Sequence, residues 1–316
     1  MKKIFAILLV MSLLLGALSG CAQTPQTPQA PLNVATLKGP TGMGMTQMMQ
    51  DDGTKYSFTL SSAPDEVTAM VISKQVDIAA VPVNLAAVLY NKLEGDVRII
   101  AASTLGVLYV LENGESVQSF SDLAGKTLYA TGQASTPEYI LQYLLEQNGI
   151  ADSVQVEYKA EHSELTALMA SGEATLGMLP EPNVTAAMAK NADLRIALDL
   201  TEEWNKATQA DMVQSAIICR ASYYDAHKQE VEAFLKDYAA SVSFVNSSVA
   251  EAAAQMETLG IVPAAAIGEK AIPNCHIVCL TGEDMHTAVS AMLDVLHTAN
   301  PKSVGGKLPG EDLYAA

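Results

Sequence analysis

Glu66-Val-Thr-Ala-Met-Val-Ile-Ser73 and Glu164-Leu-Thr-Ala-Leu-Met-Ala-Ser171 lie 98 residues apart and decide the fold. The register continues through Val76-Asp-Ile-Ala-Ala-Val-Pro82 against Ala174-Thr-Leu-Gly-Met-Leu-Pro180. Each copy reads as a helix with apolar residues every three or four positions. A turn and a short apolar strand follow, ending at proline. A duplicated helix–strand unit predicts a duplicated architecture.

The flanking segments extend the repeat. Asn33-Val-Ala-Thr-Leu37 is a short strand opening into Lys38-Gly-Pro-Thr-Gly-Met-Gly-Met45. Gly125-Lys-Thr-Leu-Tyr-Ala130 opens into Thr131-Gly-Gln-Ala-Ser-Thr-Pro-Glu138 and a helix over Tyr139–Gln147. Pro137 suits that helix's first turn, Ser135 or Thr136 its cap, and Gly149 its end. Each half therefore runs strand, Gly-rich loop, helix, strand, helix, strand, an α/β pattern of a mostly parallel sheet flanked by helices. The change of lobe is expected near Glu112-Asn113-Gly114, and the return at Val213–Arg220. Helices over His227–Ser247 and Gly282–Thr298 have no counterpart in the repeat and should fold back onto the first lobe. The expected division is 33–114 plus 220–316 for lobe 1 and 115–219 for lobe 2, with two hinge crossings.

Residues 1–20 have two lysines, an apolar run from Ile4 to Leu18 and small residues, the order of an export signal. Leu18-Ser19-Gly20-Cys21 resembles the bacterial lipobox, which makes Cys21 the lipidated mature N-terminus. The alternative is an ordinary signal cut nearby, with Cys21 a free thiol. Residues 21–32, rich in Pro, Gln and Thr, read as an extended tether. No later segment is apolar over the roughly 20 residues of a spanning helix. The expected location is the outer face of the cytoplasmic membrane, held by lipid alone.

The chain has 18 Lys+Arg against 35 Asp+Glu, a net charge of −17. Removing residues 1–20 takes away Lys2 and Lys3 and no acid, leaving −19. That balance argues against a nucleic-acid partner. With 49% hydrophobic and 17% charged residues, the chain is not a disordered acidic tail. Four cysteines are too few for a disulfide framework.

Ligands of open α/β sheets sit beyond the carboxyl ends of the strands. Seven segments should line such a cleft: Gly39–Gly44, Ser61–Pro64, Pro82–Asn84, Ser103–Val107, Thr131–Thr136, Pro180–Pro182 and Gln214. The candidate contacts are Pro40, Thr41, Gly42, Met43, Ser62, Ala63, Asn84, Thr104, Leu105, Gly106, Thr131, Gly132, Gln133, Ser135, Thr136, Glu181 and Gln214. These segments hold one carboxylate, Glu181, and no Arg or Lys, with Lys38 just before the first.

Five stretches carry a resemblance: Val76–Asn84, Asp122-Leu-Ala-Gly-Lys126, Met178-Leu-Pro-Glu-Pro182, Ile272-Pro-Asn-Cys-His-Ile-Val278 and Asn300–Pro309. In that order they resemble the solute-binding component of ABC importers, in the nitrate/sulfonate/taurine/thiamine-precursor branch. The resemblance implies a two-lobed periplasmic-binding-protein-like type II fold that closes on a small molecule by hinge motion. It also implies delivery to a permease and ATPase complex, by a protein expected to be monomeric and without cofactor.

Anion binders place Arg or Lys in the cleft or rely on several backbone donors. Loops without Arg or Lys therefore favour a neutral or weakly basic heterocycle, such as a pyrimidine-like thiamine precursor, over a floor of Met43, Leu105 and Val107. A sulfonate or nitrate held by Thr131, Ser135, Thr136 and backbone N–H groups is the alternative. A sensor not coupled to transport is another.

Other features read more plainly. Glu181 either accepts from a ligand amine or is a rim carboxylate. Gly39–Gly44 lacks the Lys-Ser/Thr of a phosphate loop. Cys275-His276 with Cys279 lacks converging ligands for a metal. If residues 275–279 are extended, the two thiols stand about 13 Å apart, beyond the roughly 7 Å a disulfide allows. They read as part of a buried strand. His162, His227, His286 and His297 are expected to be solvated or capping. Met43, Met45, Met48 and Met49 should pack a helix on the sheet, and Trp204 either covers a lobe edge or touches ligand. No Gly-x-Ser-x-Gly or His-Glu-x-x-His is present, which argues against an enzyme. A fungal pyrimidine-synthesising enzyme resembles this fold, but its clustered cysteines are missing here.

Overall fold

The computed structural model describes residues 30–50 and 53–315. The signal segment, Cys21 and the tether up to residue 29 lie outside the described residues. The first half runs β1 (Leu32–Leu37), α1 (Pro40–Met43), β2 (Tyr56–Ser61), α2 (Pro64–Ile72), β3 (Ile78–Pro82), α3 (Val83–Lys92) and β4 (Arg98–Thr104). After β5 (Leu108–Asn113) come β6 (Thr127–Ala130), α4 (Thr136–Gln147), β7 (Gln155–Tyr158), α5 (His162–Ser171), β8 (Leu176–Pro180), α6 (Asn183–Lys190) and β9 (Leu194–Asp199). The rest is α7 (Leu200–Thr208), β10 (Ser215–Cys219), α8 (Ala221–Ala226), α9 (Lys228–Ser247), α10 (Val249–Leu259), α11 (Ala265–Ala271), β11 (Ile277–Leu280) and α12 (Gly282–Ala299).

The repeat is structural: α2 and α5 start 98 residues apart, as do β3 and β8. The latter two are buried along their whole length, as continuous apolar runs must be when helices cover both faces. Pro64 opens α2, with Asp65 and Glu66 in its first turn facing the positive end of the helix dipole.

Two sheets form, in the orders β11-β4-β10-β3-β1-β2 and β7-β6-β8-β5-β9. Within each, the four strands of its own half run one way. β10 lies antiparallel between β3 and β4, and β5 antiparallel between β8 and β9. This is an α/β fold of two lobes with mostly parallel sheets and two crossings between them.

The crossings differ in position from the sequence reading. Leu108–Asn113 belongs to the second sheet, so the first crossing is at 105–107 and the Glu112–Gly114 turn is the far end of β5. Ser215–Cys219 belongs to the first sheet, so the second crossing is at 209–214. Each crossing strand enters its new sheet at once, because a buried strand needs a partner on both edges.

After β10, helices return to the first lobe. Val231, Phe234, Tyr238, Val242 and Val245 of α9 are buried in a core with Val34, Met43, Met45, Met48 and Ile100. Helices α10 and α11 join it through Ala252, Ala253, Met256 and Ala271. The methionines thus pack as expected. Residues 275–279 do not form one strand. Ile272–Asn274 is a 3-10 turn, Cys275 follows it buried, and β11 begins only at Ile277. Cys219, Cys275 and Cys279 are free thiols. The C-terminal end returns to the first sheet, where the Ala315 N–H donates to the Ile99 carbonyl at 2.9 Å. Among the described residues no helix is long and apolar enough to cross a membrane.

Candidate functional site

The carboxyl ends of β1–β4 and β6–β9, with the amino ends of β5 and β10, meet between the lobes. Short bonds tie that junction. The Gln214 N–H donates to the Thr104 carbonyl (2.9 Å), the Val83 N–H to the Gln214 carbonyl (3.1 Å), and the Glu181 N–H to the Val107 carbonyl (3.0 Å). Among the described residues one side-chain bond spans the lobes directly: Thr136 Oγ1 donates to Asn84 Oδ1 at 3.0 Å, deep in the junction. The Asn274 side chain, from the first lobe, lies near enough to Glu181 to lower its pKa. Asn84 Nδ2 is held in turn by the Ser303 carbonyl at 3.1 Å.

The predicted contacts separate into three groups. Buried polar residues already engaged by the protein include Asn84 and Thr136. Thr104 Oγ1 reaches the Pro40 carbonyl at 3.4 Å, Ser135 Oγ donates to the Gly132 carbonyl at 2.8 Å, and Thr131 Oγ1 lies 2.7 Å from His162 Nδ1. Residues at least partly open to solvent are Pro40, Thr41, Ser62, Ala63, Leu105, Gly132 and Gln133. Gln214 stands between them: it is 9% exposed, and its buried Oε1 has no partner among the described residues. An unpaired buried acceptor is costly and suits a donor from outside.

Gly42, Met43 and Gly106 form the third group, set by packing. Met43 is fully buried beside Tyr238 in the first lobe's core, and Val107 is also buried, so neither floors the junction. Of that predicted floor only Leu105 is partly open. Gly106 is required by close approach, since an added Cβ would stand 2.1 Å from Thr201 Oγ1 and 2.7 Å from Met212 Cε.

Glu181 is 1% exposed. Its Oε2 accepts from the Thr185 N–H (3.1 Å) and its Oε1 from Thr185 Oγ1 (2.9 Å), which satisfies the start of α6. Burial raises its pKa, and the Thr185 bonds and the Asn274 side chain offset this only in part. Trp204 covers α4 rather than a surface: it is fully buried, 5.2 Å from the Tyr143 ring.

Two junction residues and one beside the Thr131–Thr136 loop were missed. Asn274 and His276 come from the turn before β11. His276 accepts the Leu105 N–H on its carbonyl (3.1 Å) and bonds through Nδ1 to the Gly106 carbonyl. His162 opens α5 beside Thr131. Adding 98 to Ser61–Pro64, a loop already chosen for the cleft, gives 159–162 and would have found it. His227 and His286 pair with Glu230 and Glu311, each at 2.9 Å. Among the described residues no three His, Cys, Asp or Glu side chains gather as metal ligands would.

Two α/β lobes meeting at a polar junction are the arrangement of the periplasmic-binding-protein fold. The chain belongs to the NMT1/THI5-like family, whose model matches residues 50–252. An ABC transporter protein from Parabacteroides distasonis is similar to it, at 25% identity over 91% of this chain and 99% of that one, with a TM-score of 0.78. The aliphatic sulphonate-binding protein SsuA of Escherichia coli shares the fold, at 15% identity over 90% of this chain and 95% of its own, TM-score 0.70. So does the alkanesulfonate-binding SsuA of Xanthomonas axonopodis pv. citri, bound to MOPS, at 13% identity over 90% and 96%, TM-score 0.69. No curated protein matches the sequence.

Proposed function

We propose that this chain is the extracytoplasmic solute-binding component of an ABC importer. It takes a small polar organic molecule between its lobes by hinge closure and hands it to a permease and ATPase complex. The favoured ligand is a neutral heterocycle of the thiamine-precursor kind. A signal at 1–20, a lipidated Cys21 and a tether ending at residue 31, one short of the sequence reading because Leu32 already pairs in β1, would hold a monomeric body outside the cytoplasmic membrane.

One observation carries the reading. The side chains at the junction are Asn84 and Thr136, bonded across it, with Glu181 and Asn274 beside them: amides, a hydroxyl and one carboxylate. The hydroxyls an anion would need are engaged, Thr136 by Asn84, Ser135 by Gly132 and Thr131 by His162. A sulfonate or nitrate would have to break these bonds, whereas a neutral heterocycle with donors and acceptors need not. Family membership and the Parabacteroides relative support the transport role.

The test is a melting-temperature panel of hydroxymethylpyrimidine, taurine, nitrate and amino acids. Ligand at a hundred times Kd stabilises by about 2.7 kcal/mol, a rise of several degrees. A rise with the pyrimidine alone supports the proposal. A large rise with taurine and none with the pyrimidine overturns the ligand class. No response to any solute, with nothing retained in native mass spectrometry, overturns the binding role.

A further inference from the structure

We propose that His162 is a ligand contact of the second lobe. It offers its Nε2–H to a neutral acceptor, a ring nitrogen or carbonyl oxygen, on the bound molecule. The assignment rests on the heterocycle reading above and adds the atom that meets the ligand.

Position is the first argument. His162 follows the carboxyl end of β7, next to the loop from Thr131 to Thr136 whose last residue bonds to Asn84 of the other lobe. The repeat superimposes it on Pro64, which follows Ser62 and Ala63 at the same place in the first lobe.

Hydrogen-bond bookkeeping is the second. His162 Nδ1 lies 2.7 Å from Thr131 Oγ1. Thr131 is 1% exposed, and its hydroxyl has no other acceptor. Were Nδ1 the donor, the hydroxyl proton would be buried without a partner, at a cost of about 1–3 kcal/mol. Thr131 therefore donates to Nδ1, and the ring proton sits on Nε2. Among the described residues Nε2 has no hydrogen bond, and His162 is an exposed residue.

Charge is the third. The protein packed around the imidazole desolvates it and lowers its pKa to about 4. The ring is therefore neutral at pH 7, so its Nε2–H suits a neutral acceptor better than the anion a cationic imidazole would draw.

The test uses mature protein labelled with 15N-histidine, with His162 assigned by its loss in H162Q. Long-range 1H–15N spectra should show the Nε2–H tautomer, and T131V should remove that preference. A dominant Nδ1–H tautomer in the wild type overturns the proposal. Titration with hydroxymethylpyrimidine follows. H162A should weaken binding about ten-fold, the worth of one hydrogen bond, while H162Q, which keeps a donor, stays within about three-fold of wild type. Equal affinity in wild type and H162A overturns the role of His162 and leaves the importer reading standing. No binding by wild type overturns the heterocycle reading and the neutral-acceptor assignment together. That failure is recognisable because it precedes any substitution.

Discussion

Glu112 and Glu181 are both buried carboxylates, and their surroundings move them in opposite directions. Burial raises Glu181, and too few bonds oppose it. Burial also acts on Glu112, but bonds from the Ser116 hydroxyl and the Val117 and Ser116 amides, with Arg195 2.5 Å away, outweigh it and lower its pKa. A lowered folded-state pKa gives stability that is present above the unfolded carboxyl pKa and lost as pH falls through the folded one. E112Q should therefore cost about 2 kcal/mol at neutral pH, below the 3–5 of a fully buried pair because Arg195 is partly exposed, and much less in acid. Urea melts at pH 7 and pH 2.5 measure this; an equal loss at both refutes the ion-pair account.

For Glu181 the sign reverses. Its protonated form is favoured in the fold, so stability declines as pH rises through the unfolded value towards the raised one. E181Q should match or exceed wild type at pH 7.5 and lose that advantage at low pH. E181A should lose about 1–2 kcal/mol, because the Thr185 N–H and hydroxyl lose their acceptor. Urea melts of both variants check this, and lower stability of E181Q at every pH contradicts it. The sequence placed Glu181 at the junction through Met178-Leu-Pro-Glu-Pro182. It did not disclose that Thr185, one helical turn on, would occupy the carboxylate.

Among the elements, the repeated helix and strand were legible because burial on one face or both leaves a period in the residues. The crossings were not. Leu108-Tyr-Val-Leu-Glu112 is apolar whichever sheet receives it, and periodicity says nothing about which strand lies alongside. The loop at 159–162 was passed over because Lys-Ala-Glu-His reads as a solvated helix start, while its first-lobe copy, Ser-Ser-Ala-Pro, does not. The loop before α4 was legible from its glycine and carries a prediction. Gly132 has φ +80, and an added Cβ would lie 2.8 Å from Pro137 Cγ. G132A should destabilise by about 1–2 kcal/mol and weaken ligand binding by moving Thr131, read by calorimetry beside a urea melt. Undiminished binding would detach this loop from the site.

At the scale of the molecule, the Thr136–Asn84 bond exists only with the lobes together. T136V leaves Asn84 Oδ1 without its donor and removes about 1 kcal/mol from closure, some five-fold in the closed-to-open ratio. Small-angle scattering should show a larger radius of gyration and calorimetry a weaker ligand affinity. An unchanged radius would mean that closure does not depend on this bond.

Leu32 enters the first sheet and Ala315 leaves from it, so the second lobe is an insertion with neither end of the body. Mechanical load applied through residue 32 or 315 runs through the first sheet alone. The second lobe hangs off the load path, joined to the first through its two crossings however the ends are held. A fluorophore or a surface attachment at either end would therefore report on the first lobe, and the second must be labelled from within.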